Sequence, residues 1–165
     1  MTNDHRKDVL NWDETFMAAA LVIARRSKDP STQVGAVIVD ADHYILATGY
    51  NGTPKGMSDE EFPWGKDSDD PLKTKYPYVI HAERNAILNT KGPIEDLRGS
   101  TVYVTLLPCN ECMKSLAQAG VKRVVYYDEP KDTATVGEAT RILARMCGIS
   151  LKHYEPRHKK IELTV

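Results

Sequence analysis

The chain is short of most things that announce a function by bulk. It has three cysteines in 165 residues, too few for the disulfide framework of a small secreted domain and suited to a reducing compartment. Its net charge is −1, so it lacks the basic footprint of a protein held mainly by a nucleic-acid backbone. No apolar stretch approaches the ~18 residues that a membrane-spanning helix needs. The polar start MTNDHRKDV offers no apolar segment for a secretory signal. No internal repeat or low-complexity tract is present. What remains is an apolar fraction of 41%, enough for one ordinary core, in a length that fits one domain over residues 1–165. The expectation is a cytoplasmic globule with neither a membrane nor a nucleic acid among its partners.

Helices and strands alternate along the chain. Asn11 with Glu14 three residues later forms a capping box in which Asn stands for the usual Ser or Thr. Phe16, Ala19, Ala20 and Ile23 follow at helical spacing, and the helix is expected to run to Ser27, ahead of Asp29-Pro30. Residues 34–39 are continuously apolar, as in a strand buried on both faces. Residues 44–50 return antiparallel to them after a turn in which His43 is expected to be solvated. Residues 51–78 form an unusually long connection rich in Gly and Pro, a length that usually serves function. Phe62, Trp64, Tyr76 and Tyr78 argue against a disordered insertion there.

Further helices are expected over 81–89, 109–119 and 135–147, with Pro108 at the first position of the second of these and Cys147 in the core. Strands are expected over 101–105, 121–127 and, at a sheet edge, 149–154. The strand–helix–strand unit over 101–127 implies a parallel pair. The tail from Pro156 to Val165 reads as a solvated end or an oligomer contact. The sum is an α/β fold, a three-layer α/β/α sandwich around a five-stranded mixed sheet.

The chemistry concentrates in His81-Ala82-Glu83 and Pro108-Cys109-Asn110-Glu111-Cys112. One imidazole and two thiols make three ligands for Zn2+, which leaves the fourth tetrahedral position for water or substrate, as in catalytic sites. A redox C-x-x-C would explain neither His81 nor Glu83. A zinc ribbon needs a second C-x-x-C pair, and Cys147 stands alone. Each motif begins a helix, where the positive end of the macrodipole favours thiolate over thiol. His81 and Glu83, two residues apart, reach one site only by projecting past the helix end. Two thiolates neutralise the dication and weaken its acidifying power, so Glu83 has to act as the proton carrier.

The H-x-E and P-C-x-x-C pair is the pattern of zinc nucleobase deaminases. With Arg26-Ser27-Lys28-Asp29-Pro30, Gln33-Val34-Gly35-Ala36, Gly49-Tyr50-Asn51-Gly52 and Lys75-Tyr76-Pro77-Tyr78, the chain resembles the deoxycytidylate (dCMP) deaminases of the cytidine deaminase superfamily over residues 10–154. The resemblance implies a cytidine deaminase-like fold, hydrolysis of dCMP to dUMP and ammonia, a homohexamer, and regulation by dCTP as activator and dTTP as inhibitor. It further implies that Asn51 holds the sugar and the Ala82 N–H holds the pyrimidine carbonyl. Arg26, Ser27 and Lys28 would face the 5′-phosphate, and Leu107 and Pro108 would border the base. The effector site would lie near Tyr50, Asn51, Gly52 and Gly56, where glycine lets backbone amides approach a triphosphate.

Two positions depart from the family. Residues 128–133 lack its phosphate-contacting tyrosine, leaving Lys131 or Tyr127 for that role, and Leu107 replaces a bulkier aromatic. Two other readings compete: a tRNA adenosine deaminase on the same zinc motif, disfavoured by charge and by the long 51–78 connection, and a non-catalytic zinc or nucleotide-binding protein, disfavoured by Glu83.

Overall fold

The computed structural model describes residues 4–131 and 134–164. Helix α1 (Trp12–Ala24) opens on the expected capping box. Asn11 Oδ1 accepts from the Glu14 N–H at 2.8 Å, and Glu14 Oε2 accepts from the Asn11 N–H at 2.9 Å. The helix stops three residues short of Ser27. There the N–H groups of Arg25, Arg26 and Ser27 tighten onto carbonyls three residues back, as helix ends often do, and Ser27 Oγ donates to the Asn51 carbonyl at 2.8 Å.

Five strands follow: β1 (Gly35–Val39), β2 (Ile45–Tyr50), β3 (Thr101–Leu106), β4 (Arg123–Asp128) and β5 (Ser150–His153). Their order across the sheet is β2-β1-β3-β4-β5. β1 is antiparallel to both β2 and β3, while β3, β4 and β5 run parallel. Residues i and i+2 of a strand share a face, and the two faces have separate cores. Val37, Val39, Tyr103 and Val125 meet Phe16, Met17 and Ala20 of α1. Ala36, Ile38, Val102, Val104 and Val124 meet Ala82 and Ala86 of α2 (Ala82–Leu88), Met113 and Leu116 of α3 (Asn110–Gln118) and Ala144 of α4 (Ala134–Met146). Helices on both faces explain why every residue of β1 is buried.

The long connection is ordered by its own contacts. Phe62 is buried against Trp64 and Tyr78, Trp64 Nε1 donates to the Asp59 carbonyl at 2.9 Å, and Pro71–Lys73 form a 3-10 turn. Tyr76 is exposed and adds nothing to that cluster.

Two expectations about burial need correction. Cys147 is exposed, because α4 ends at Met146 and the inward face of Gly137, Thr140 and Ala144 passes next to Ile149. The tail is not simply solvated: Glu14 Oε1 accepts from the Arg157 N–H at 2.9 Å and the His158 N–H at 2.7 Å, which docks the tail on the start of α1. His43 is exposed, as expected, and also stacks on Trp12 with ring centroids 4.2 Å apart. Asp132 and Thr133, in the segment without the family's tyrosine, lie outside the described residues. Among the described residues no helix is long and apolar enough to cross a membrane.

Candidate active site

Helix α2 is stapled to β2. Asn85 Nδ2 donates to the Tyr50 carbonyl at 2.8 Å and Asn89 Nδ2 to the Thr48 carbonyl at 2.9 Å. Gly49 lies between them, where a Cβ would stand 2.3 Å from both Ala82 O and Ala86 N, so only glycine admits the helix this close. His81 is the N-cap of α2 and Glu83 its second residue, which lets both side chains project from the helix end.

Helix α3 begins at the carboxyl end of β3. Its N-cap is Cys109, whose Sγ accepts from the Cys112 N–H at 3.5 Å. Pro108 therefore precedes the cap and does not occupy the first helical position. Its carbonyl accepts from the buried Thr140 Oγ1 at 2.9 Å, and the Leu107 N–H donates to the Asp128 carbonyl at 2.8 Å, which fixes the approach to the thiols.

The two helix starts meet at the donor atoms. His81 Nδ1 is 3.5 Å from Cys109 Sγ and 3.3 Å from Cys112 Sγ. All three atoms lie within 4.8 Å of one another. A tetrahedral zinc with bonds of about 2.0 Å to nitrogen and about 2.3 Å to sulfur separates such atoms by about 3.5 Å, so the donor set fits zinc without rearrangement. Among the described residues no further His, Cys, Asp or Glu joins the cluster.

The charges agree with that assignment. A hydrogen bond from Cys112 brings the Cys109 thiol down to about 3 against the opposing effect of burial, and the same bond with burial pushes Cys112 up. Ionisation of one sulfur thus opposes that of the other, and a dication would supply the charge to hold both as thiolates. The Cys109 hydrogen bond raises the pKa of His81. Glu83 is only 4% exposed. Burial raises its pKa, and its carboxyl is close enough to His81 and Cys112 for both to act on it.

The other expected residues divide into groups. Ala82, Leu107 and Pro108 are buried around the donor set. Asn51 is buried and heavily engaged. Its Oδ1 accepts from the Val34 N–H at 2.8 Å, and its Nδ2 donates to the Thr32 carbonyl at 2.9 Å and to Asp29 Oδ2 at 3.3 Å. Arg26 is exposed, Ser27 is bonded to Asn51, and Lys28 pairs with Asp59. Tyr50 ends β2 half-exposed, Gly52 pairs with Ile80, and Gly56 turns the chain at φ 88°. Tyr127 packs with its ring tilted against Tyr154, on the α1 face of the sheet, and Lys131 is exposed. Sequence reasoning placed Asp29 and Lys75 within stretches shared with the family but gave neither a role; they form a buried ion pair beneath Asn51. Neither stands in a ligand-spaced motif, and a separation of 46 positions along the chain hides the partnership.

Comparison with known proteins agrees with this geometry. The family model for the cytidine and deoxycytidylate deaminase zinc-binding region matches residues 10–128. Deoxycytidylate deaminase of Mus musculus is 45% identical over 94% of this chain and 86% of its own length. A probable deoxycytidylate deaminase of Drosophila melanogaster is 46% identical over 96% of this chain and 79% of its own. Among solved structures, dCMP deaminase from the cyanophage S-TIM5 in complex with dCMP and dUMP superposes with a TM-score of 0.70 at 30% identity, covering 91% of this chain and 100% of that one. A tRNA:A34 deaminase structure shares the fold, with a TM-score of 0.51 at 21% identity over 85% of this chain and 97% of that one. With its metal-ligand geometry and its sequence in agreement, the chain belongs to the cytidine and deoxycytidylate deaminase family, with His81, Cys109 and Cys112 as the three residues arranged to hold its zinc.

Proposed function

We propose that residues 1–165 act as one domain that hydrolyses dCMP to dUMP and ammonia. The observation that carries this is Glu83, a buried carboxyl two residues from one metal ligand and not itself one of the three donors. The names of the mouse and cyanophage relatives supply the substrate.

Zinc, when bound, polarises a water and so makes it both acidic and nucleophilic. Glu83 would take one proton from the attacking water and give it to the ring nitrogen beside the carbon under attack, then carry the second proton, from the hydroxyl newly bonded to that carbon, to the amine, which leaves as ammonia. One water is consumed and one C–N bond exchanged for C=O. Ala82 is the first residue of α2, so its N–H has no partner within the helix and is free to donate to the pyrimidine carbonyl. Asn51 Oδ1 retains one lone pair after accepting from Val34, enough to accept from a sugar hydroxyl. Leu107 and Pro108 close the apolar side of the base. Arg26, Ser27 and Lys28 are the phosphate-side group in this reading, Lys28 exchanging Asp59 for the phosphate.

Regulation by dCTP and dTTP at Tyr50, Asn51, Gly52 and Gly56, and assembly as a homohexamer, belong to the same proposal and rest on the family resemblance. The exposed apolar residues Leu88 and Ile94, beside α2 and α3, are consistent with self-association.

The deciding experiment is ammonia release from dCMP, dCTP, CMP and a tRNA anticodon stem, each with and without dCTP or dTTP. Turnover of dCMP that dCTP raises and dTTP lowers is the expected result. Activity on the stem alone would overturn the substrate.

A further inference from the structure

Among the described residues, Asp29–Lys75 is the one ion pair with both side chains buried, the carboxylate 1% and the ammonium 7% exposed. Such a pair contributes little net stability, because desolvating two charges offsets their attraction, so its location is more telling than its energy. Asp29 ties the turn after α1 to Asn51: its Oδ1 accepts from the N–H groups of Ser31 at 2.8 Å and Thr32 at 3.2 Å, and its Oδ2 from Asn51 Nδ2. Lys75 ties the far end of the long connection. Its carbonyl accepts from the N–H groups of Tyr78 at 3.0 Å and Val79 at 2.9 Å, which turns the chain into Ile80. Ile80 and Gly52 then exchange two hydrogen bonds, of 3.0 and 2.9 Å, and the next residue is His81. One buried contact therefore sits beneath both Asn51 and the approach to a metal ligand.

The geometry points to Asp29 and Lys75 as positioning residues that set His81 for the metal and Asn51 for the substrate. The Asn51 half of this rests on the function proposed above. The His81 half does not.

The test uses the zinc-loaded chain of residues 1–165 and the variants Lys75→Met, Asp29→Asn and the two combined. Two quantities are read well below the melting temperature: zinc retention against a competing chelator, and KM against kcat for dCMP. For Lys75→Met, zinc affinity should fall about tenfold, the lower end of what orienting groups around metal ligands deliver. KM should rise about as much, with kcat at saturating zinc little changed. The combined variant, which leaves no stranded charge, should fold as the wild type does yet keep both defects. That holds the claim testable even if Lys75→Met alone does not fold. Wild-type zinc retention and KM in a folded combined variant, with only its melting temperature altered, would make the pair merely structural and overturn the inference. If the wild type itself does not turn over dCMP, the proposed function fails, while the chelator measurement still judges the placement of His81.

Discussion

Glu83 is the second residue of α2, and its environment acts on it in two opposed ways. The positive end of the helix favours the ionised form, while burial favours the neutral one and wins, so its pKa is raised. A carboxyl that accepts a proton readily and gives it up again is what the proposed reaction asks of it. Replacing it with the near-isosteric amide removes the proton transfer and leaves the donor set intact. Glu83→Gln is expected to bind zinc and dCMP as the wild type does and to lose about 10²–10⁴-fold in kcat, the usual worth of a positioned acid–base group. Metal analysis together with ammonia release checks this, and near-normal turnover would remove Glu83 from the role. This residue and the three donors were legible in the sequence because they stand at fixed local spacings on two short motifs. Asn51 was legible only in part. The family resemblance marked it, but its three internal hydrogen bonds depend on Asp29, Thr32 and Val34, which no local pattern connects to it.

Helix α1 shows how one element comes to serve several others. Its capping box was readable from Asn11 and Glu14, four adjacent positions. The second use of Glu14 was not, since His158 lies 144 residues away. Burial alone would raise the Glu14 pKa, but hydrogen bonds from the N–H groups of Asn11 and His158, then from the His158 ring, outweigh it and bring the group from an ordinary 4.5 to about 2. The His158 ring donates to Asp8 at 2.7 Å and to Glu14 at 2.9 Å, and these bonds raise its pKa above an ordinary 6.5.

The signs of the two effects differ. The Glu14 contribution is present above pH 4.5 and is lost as pH falls toward about 2. The His158 contribution is complete below pH 6.5 and is lost as pH rises through the higher value of the folded state. The stability gap between wild type and His158→Ala should therefore be widest between pH 4.5 and 6.5 and close on the alkaline side. Urea unfolding across a pH series measures it, and a gap independent of pH would show that the tail is held by something other than this charge. The same non-locality explains why Cys147 was misplaced: helical spacing predicts a face but not the residue at which the helix stops.

At the scale of the whole molecule the metal donors stand at the margin of the packing, with His81 exposed, Cys109 half-buried and Cys112 buried. Neither the α1-side core nor the larger core under α2, α3 and α4 includes His81, Cys109 or Cys112. Zinc should therefore stabilise the fold by mass action and not by completing a core, contributing about 4 kcal/mol at a free concentration near ~1,000 times its Kd. Chelation is expected to lower the melting temperature while leaving the far-ultraviolet circular dichroism at 25 °C unchanged. Loss of the spectrum on chelation would mean that the metal holds the fold. The mixed sheet was legible because the apolar run of β1 demanded helices on both sides and the β3–α3–β4 unit demanded a parallel pair. The interior of the long connection was not, because it is held by single aromatic and ionic contacts without a repeat.

That connection leaves the body at Gly52 and rejoins it at Ile80 through one reciprocal pair of hydrogen bonds. A strip of chain hemmed at its base in this way is an exchangeable cassette. Insertions or deletions inside it that spare Lys75, paired with Asp29 in the body, should leave the neighbouring metal donors in register.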